Sequence, residues 1–296
     1  MTPEDFQKLA TLLKSQSGLV LGQDKAYLAE SRLTPVARNW GFPDAKALIR
    51  ALVRREGKGG DPKLLLEVVE AMTTNESFFF RDQRPFDQLR DVILPSLLAS
   101  RASNKRLRIW SAACSSGQEP YSIAMILNDM QHKLRDWRIE IVATDLSRPI
   151  LHRATEGRYT QFEVQRGLPI TLLAKYFTQD GDQWRISDQL KRMVTYKVHN
   201  LLDGPGVLGK FDIVFCRNVL IYFDQATKGK VLDGIAANLA EDGLLTLGGA
   251  ATVLGVTDKY KMVDGQRGLY ARADGTATAL KSAAGIAGQA GRVGAA

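Results

Sequence analysis

A chain of 296 residues with 45% hydrophobic and 24% charged residues can bury one large core or two smaller ones, as an ordinary globular protein does. No stretch reaches the roughly 18 uncharged apolar residues of a membrane span, and the first six residues lack the basic and apolar regions of a secretory signal. A cytoplasmic protein without membrane insertion is expected; its net charge of +8, spread thinly along the chain, weakens the case for nucleic acid and would equally suit an acidic protein partner.

Residues 1–72 read as helices only. Thr2 and Pro3, followed by Glu4 and Asp5, make a helix start, and Phe6, Leu9, Leu12 and Leu13 form one apolar stripe. A second helix is expected over residues 25–37, stopping near the Trp40-Gly41-Phe42-Pro43 break and kinked or shortened at Pro35. Residues 45–54 and 64–72 give two more, separated by a glycine-rich flexible turn at 57–62. Arg101, Lys105, Arg106 and Arg108 then form a basic cluster that reads as a solvated connector.

From Arg106 onward strand and helix patterns alternate, the mark of a mostly parallel sheet. Strands are expected at 107–111, 139–144, 194–198, 211–216 and 244–247, helices at 119–130, 148–155 and 224–239, and a closing antiparallel hairpin at 260–263 and 268–272. Residues 157–193 break the alternation. Two β-like runs, 176–178 and 183–187, flank Asp180-Gly181, a hairpin signal, so this stretch reads as a small β-rich insertion. The last segment, 273–296, is Ala/Gly-rich and is expected to be disordered.

The most informative stretch is W-S-A-A-C-S-S-G-Q-E-P-Y, residues 110–121. A strand running through a small-residue turn into a helix builds a nucleotide pocket at the carboxyl edge of a doubly wound sheet. Such a helix start ordinarily holds a phosphate. Here Glu119 occupies the entrance and Pro120 removes a donor, so a pyrophosphate is disfavoured and a cationic ligand favoured. That points away from NAD and an oxidoreductase and toward S-adenosylmethionine, with its ammonium and sulfonium, hence a methyltransferase. Asp145, ending the second strand, is placed for ribose hydroxyls, and it also suits an N-cap for the helix after it. Arg217, Asn218 and Tyr222, after a later strand, are expected in the same crevice. The triple Phe78-Phe79-Phe80 before Arg81, taken alone, reads as an aromatic plug in a buried linker. Cys114 and Cys216 read as buried thiols, and His132, His152 and His199 lack ligand spacing, so no metal is expected.

Together these motifs resemble the CheR family of chemotaxis receptor methyltransferases, which esterify glutamates on methyl-accepting chemotaxis proteins. T-T-N-E-S-F-F-F-R, A-A-C-S-S-G-Q-E-P-Y-S-I-A, A-T-D-L-S, V-H-N-L-L and F-C-R-N-V-L-I-Y-F occur in the family's order across residues 1–272. The resemblance implies an α/β fold: a Rossmann-like class I S-adenosylmethionine-dependent methyltransferase sheet over residues 73–272, an all-helical N-terminal domain over 1–72 for receptor recognition, and a small antiparallel β-insertion. It implies a cofactor pocket of Asn75, Ser77, Arg81, Glu119, Asp145, Asn200, Leu201, Arg217 and Asn218, with Arg81 and Tyr222 facing the reacting carboxylate. It also implies that Lys25, Arg32 and Arg38, with the insertion, hold the receptor's cytoplasmic helical bundle; S-adenosylhomocysteine would be the product. Nothing in the sequence suggests an obligate dimer, so a monomer is expected.

Two departures from the family bear on activity. Gly248-Gly249-Ala250-Ala251 stands where many members read G-H-S-E, which raises the alternative of a catalytically silent cofactor-binding signalling module. The turn over 179–182 is shorter than in members that grip a peptide at the receptor's C-terminus, which implies independence of that tether. An amide- or base-nitrogen methyltransferase, which often carries an Asn/Asp-Pro-Pro-Tyr-type turn, is disfavoured because Arg217-Asn218-Val219-Leu220 has no proline.

Overall fold

In the computed structural model, which describes residues 1–275, four helices form the N-terminal part: α1 (Pro3–Ser17), α2 (Ala26–Trp40), α3 (Ala45–Arg54) and α4 (Pro62–Met72). Thr2 caps α1 by accepting from the Asp5 N–H, and Gly18 ends it in the left-handed region. Leu9, Leu13, Leu33, Leu48, Ile49, Leu64 and Val68 are fully buried in one core between these helices. That shared core carries α2 through Pro35 without shortening it, although proline cannot donate to the carbonyl one turn back. The glycine-rich 57–60 stretch is not a loose turn but a compact 3₁₀ turn. Gly59 is pressed so closely on α3 that a Cβ would fall 2.1 Å from the Ala51 carbonyl oxygen.

A linker leads to α5 (Arg84–Gln88) and α6 (Leu94–Ser100), joined by one π-helical turn. The α/β part follows. Strands β1 (Arg106–Ala112) and β2 (Arg138–Asp145) are connected by α7 (Gln118–Asp129) and the short α8 (Gln131–Leu134). Helix α9 (Arg148–Glu156) leads into the insertion, whose elements are β3 (Arg158–Thr160), α10 (Gln161–Gln165), α11 (Ile170–Tyr176), β4 (Phe177–Asp180), β5 (Gln183–Ile186) and α12 (Asp188–Lys191). Then come β6 (Val194–Val198), β7 (Phe211–Cys216), α13 (Gln225–Asn238), β8 (Leu239–Leu247), β9 (Tyr260–Met262) and β10 (Leu269–Arg272).

Seven strands form the main sheet in the order β6-β2-β1-β7-β8-β10-β9. β6, β2, β1, β7 and β8 are parallel; β10 runs antiparallel to β8 and to β9. The chain builds outward from β1 through β2 to β6 and then returns to the other side of β1, so the strand order reverses between β1 and β7. Outside the carboxyl ends of those strands is where a doubly wound sheet opens a ligand crevice. Period-two alternation separates the faces: Leu107, Ile109, Ile213 and Phe215 join the core on one side, Trp110, Ala112, Val214 and Cys216 that on the other.

Two sequence expectations need correction. The insertion is as much helix as strand: Tyr176 ends α11 rather than opening a strand, and Arg158–Thr160 supplies an unforeseen third strand in the order β3-β5-β4. The basic cluster that leads into β1 is not simply solvated. Arg101 pairs with Asp212 and Asp242, and Arg108 reaches Glu140 at 2.7 Å while lying over the Phe211 ring. Of the expected disordered tail, residues 276–296 lie outside the described residues.

Candidate active site

A cleft of about 1000 Å³, including its open mouth, lies at the strand-order reversal. All the residues predicted for the cofactor line it, from Asn75, Ser77 and Arg81 through Glu119, Asp145, Asn200 and Leu201 to Arg217 and Asn218, and Tyr222 lines it too. Among the described residues seven non-glycine positions have positive φ. Three of them, Ala113, Ser115 and Asn218, line the cleft, and Phe80 and Asp82 flank Arg81. Backbone strain of this kind persists where the surrounding structure enforces it, commonly at functional sites.

The turn between β1 and α7 is built from backbone donors. Cys114 N–H bonds the Thr144 carbonyl at 2.8 Å, and Ser115 N–H donates to Asp145 Oδ2 at 2.9 Å. Gly117 is required there: its φ is +92°, and a Cβ would lie 2.7 Å from Tyr196 Oη. The Ser115 hydroxyl reaches back to the Asn75 carbonyl at 2.9 Å, fastening the linker to the turn. From the insertion, the Tyr159 hydroxyl donates to the Ser116 carbonyl at 2.8 Å.

Asp145 is 7% exposed and accepts from the Ser115 and Ser147 N–H groups. Burial raises its pKa, and these backbone donors pull it back. The N-cap of α9 is Ser147, not Asp145. An ionised carboxylate has about four lone-pair sites, so acceptor capacity is left for hydroxyl groups in the cleft.

Glu119 is more engaged than its place in the sequence suggests. Its Oε1 accepts from the Ser111 hydroxyl at 2.7 Å and its Oε2 from Arg217 Nη1 at 2.8 Å. Arg217, with its side chain 1% exposed, also reaches Asp82 at 3.0 Å and the Arg81 carbonyl, while its Nε is buried without a partner among the described residues. Glu119 is therefore not an unpaired carboxylate awaiting a cation. The electrostatic argument survives in a different form: two carboxylates, Glu119 and Asp145, line the cleft with the Arg217 guanidinium, which Asp82 also pairs from beside it. Those two carboxylates suit a cationic ligand.

A second guanidinium lines the cleft as well. Arg81 lies 5.3 Å from the centre of the half-buried Phe78 ring and donates to the Glu76 carbonyl at 2.9 Å. The triple phenylalanine is thus divided: Phe79 and Phe80 fill the core, whereas Phe78 lines the cleft.

Several residues that complete the site carry no local sequence signal. Ser17 and Leu19, from the end of α1, line the cleft. The Asn200 side chain donates to the Gln16 carbonyl at 2.7 Å, and Val20 N–H bonds the Tyr222 carbonyl at 2.9 Å. His199 is buried against Trp110, with Nε2 unpartnered among the described residues. The predicted receptor contacts divide. Lys25 and Arg38 are exposed, whereas the Arg32 guanidinium is bonded to the Met72 and Thr73 carbonyls at 2.8 Å each, closing the end of α4. Gly248 packs on the Asn218 backbone, and Ala250 and Ala251 line a separate small depression. Cys114 and Cys216 are free, buried thiols, the latter's pKa pushed up to about 12 by burial. Among the described residues no group of three or more His, Cys, Asp or Glu could hold a metal, and no helix is long and apolar enough to cross a membrane.

Residues 75–269 match the family described as CheR methyltransferase, SAM binding domain, and residues 4–73 match the CheR methyltransferase, all-alpha domain. The chain belongs to the CheR methyltransferase family. It is similar to a chemotaxis protein methyltransferase of Vibrio parahaemolyticus, 40% identical over 267 residues, which covers 89% of this chain and 94% of that protein. A counterpart in Pseudomonas aeruginosa is 39% identical over 273 residues, 91% and 97% of the two chains. One in Borreliella burgdorferi is 35% identical over 260 residues, 86% and 90%. This is an S-adenosylmethionine-dependent methyltransferase, and the cleft fits that cofactor. Asp145 retains acceptor capacity for a ribose, Glu119 and Asp145 suit a cationic ligand, and the buried Nε of Arg217 awaits an acceptor. When bound, the cofactor supplies an electrophilic methyl group on a sulfonium.

Proposed function

We propose that this enzyme methylates glutamate side-chain carboxylates on methyl-accepting chemotaxis receptors, forming methyl esters that serve sensory adaptation, and that it acts in the cytoplasm as a monomer. The observation that carries this reading is that one cleft joins Glu119 and Asp145, carboxylates suited to a cationic cofactor, with Arg81 and Tyr222, which suit an incoming carboxylate. Asn75, Ser77, Glu119, Asp145, Asn200, Leu201, Arg217 and Asn218 would hold the cofactor, and Arg81 with the Tyr222 hydroxyl would orient the incoming carboxylate.

A glutamate with a pKa of about 4.3 is already ionised at neutral pH, so the nucleophile needs no general base. Holding it in line at near-attack distance contributes roughly 7 kcal/mol or more. The exposed Lys25 and Arg38 suit an acidic helical bundle, and Arg32 would act by fixing the end of α4. Only Gly181 and Asp182 separate β4 from β5. A two-residue turn leaves no loop to grip a peptide, which supports independence of a C-terminal tether.

Calorimetry with S-adenosylhomocysteine, followed by labelled-methyl transfer to receptor cytoplasmic fragments, tests the proposal. Wild type should bind, Asp145→Ala should not, and the transferred label should be released by alkali as an ester is. Tyr222→Phe should lower turnover while cofactor binding survives. Binding without transfer would leave the silent signalling module standing, and no binding at all would overturn the pocket.

A further inference from the structure

The insertion packs against residues that line the active-site cleft. It is clamped to the cofactor turn by the Tyr159 hydroxyl on the Ser116 carbonyl, and to the linker by Gly167, where φ is +83° and a Cβ would fall 2.1 Å from the Phe79 carbonyl oxygen. Between those clamps, Arg166 follows α10 directly. Its guanidinium lies 4.3 Å from the centre of the Phe78 ring, which also has Arg81 5.3 Å away, and it pairs with Glu76 at 2.8 Å. Phe78, Arg81 and Glu76 all line the cleft.

Two guanidiniums lie beside one aromatic ring, and of the two only Arg166 pairs with a carboxylate among the described residues, that of Glu76; Arg81 bonds the Glu76 backbone carbonyl instead. The Arg166–Glu76 pair is no sufficient reason for this arrangement, because both side chains are about half exposed, at 42% and 56%, and exposed pairs contribute little to stability. The Phe78 ring 4.3 Å away does help to hold the guanidinium in place, and a guanidinium offers a carboxylate more than one donor.

We propose that Arg166 is a substrate-positioning residue: it exchanges Glu76 for a carboxylate of the protein substrate and holds that segment over the cleft beside Arg81. The proposal rests on the glutamate reading above. Glu76 then acts as a stand-in anion that the substrate must displace, and the insertion contributes directly to substrate selection.

The test uses the full chain, S-adenosylhomocysteine calorimetry, and steady-state methylation of a receptor cytoplasmic fragment at varied fragment concentration. Arg166→Ala should raise KM for the fragment about tenfold or more, the size of one charge-assisted hydrogen bond. Its kcat should be largely kept and cofactor affinity unchanged, and Arg166→Lys should recover part of the loss. Glu76→Gln should move KM the opposite way, downward, because the competing anion is gone. If Arg166 only braces the fold through its ion pair, Glu76→Gln will raise KM as Arg166→Ala does, and the proposal falls. Unchanged KM in Arg166→Ala overturns it too. Should the alanine variant lose cofactor binding, Arg166→Gln, which keeps an amide over Phe78, replaces it under the same criteria. A wild type that binds cofactor but methylates no glutamate removes the glutamate reading and this proposal with it.

Discussion

Replacing Arg217 by methionine removes a buried cation paired with Glu119 and Asp82. The magnitude follows from exposure. The Arg217 side chain is 1% exposed and that of Glu119 12%, so solvent screens their 2.8 Å pair only weakly. Asp82, 47% exposed, can rehydrate and adds little. Removing one partner of a buried pair costs about 3–5 kcal/mol. The lower end applies here because Glu119 keeps the Ser111 hydroxyl as a donor. A loss of about 3 kcal/mol lowers Tm by roughly 5 °C in a chain of this size. Glu119→Gln in the same chain removes the uncompensated charge, so the double variant should be more stable than Arg217→Met alone, with a coupling of about 2 kcal/mol. Thermal and urea unfolding of wild type, both single variants and the double variant, without cofactor, measures this. A loss below about 1 kcal/mol for Arg217→Met, or strictly additive variants, would refute the assignment of the pair as a buried electrostatic unit.

Gly117→Ala, with φ at +92° and Tyr196 Oη 2.7 Å from the new methyl group, should destabilise by about 1–3 kcal/mol and weaken S-adenosylhomocysteine binding; an unchanged calorimetric Kd would count against this account of the turn. Tyr159→Phe leaves the buried Ser116 carbonyl without its donor, so a cost of about 1–3 kcal/mol should register in urea unfolding. Leu33→Ala empties a fully buried site in the helical core and should cost about 2–5 kcal/mol, read by the same method. Burial lowers the pKa of His199, and Asp203 opposes the shift only in part. Its contribution to stability is therefore fully present above pH 6.5, its ordinary pKa, and is lost as pH falls through the lowered folded value. His199→Gln should flatten the acid side of the stability–pH curve, and a curve parallel to wild type would refute this.

The cofactor turn was legible because its chemistry is contiguous. Small residues between an apolar strand and an amphipathic helix state both the local structure and the place where a ligand can approach. Asp145 and the Arg217-Asn218 pair could be placed in the crevice for the same reason, since each ends a strand whose direction the alternating pattern had already set. The use of each charge was not legible. Glu119 follows the turn directly, yet its partner Arg217 is 98 residues away, and only the order of β1 and β7 brings the two together. Arg32 reads as a surface cation because nothing around it in the chain announces the Met72 and Thr73 carbonyls 40 and 41 residues on.

The same division holds for the whole molecule. Helical periodicity in the first seventy residues and strand–helix alternation after them determine which elements form, because these depend on the spacing of apolar side chains along a few turns or one strand. Whether the end of α1 covers the cleft through Gln16, Ser17 and Leu19, and whether the insertion leans on Phe78, depends on how preformed surfaces fit. Those contacts link residues up to 184 positions apart. Their positions follow from the packing of whole elements, which no local pattern encodes.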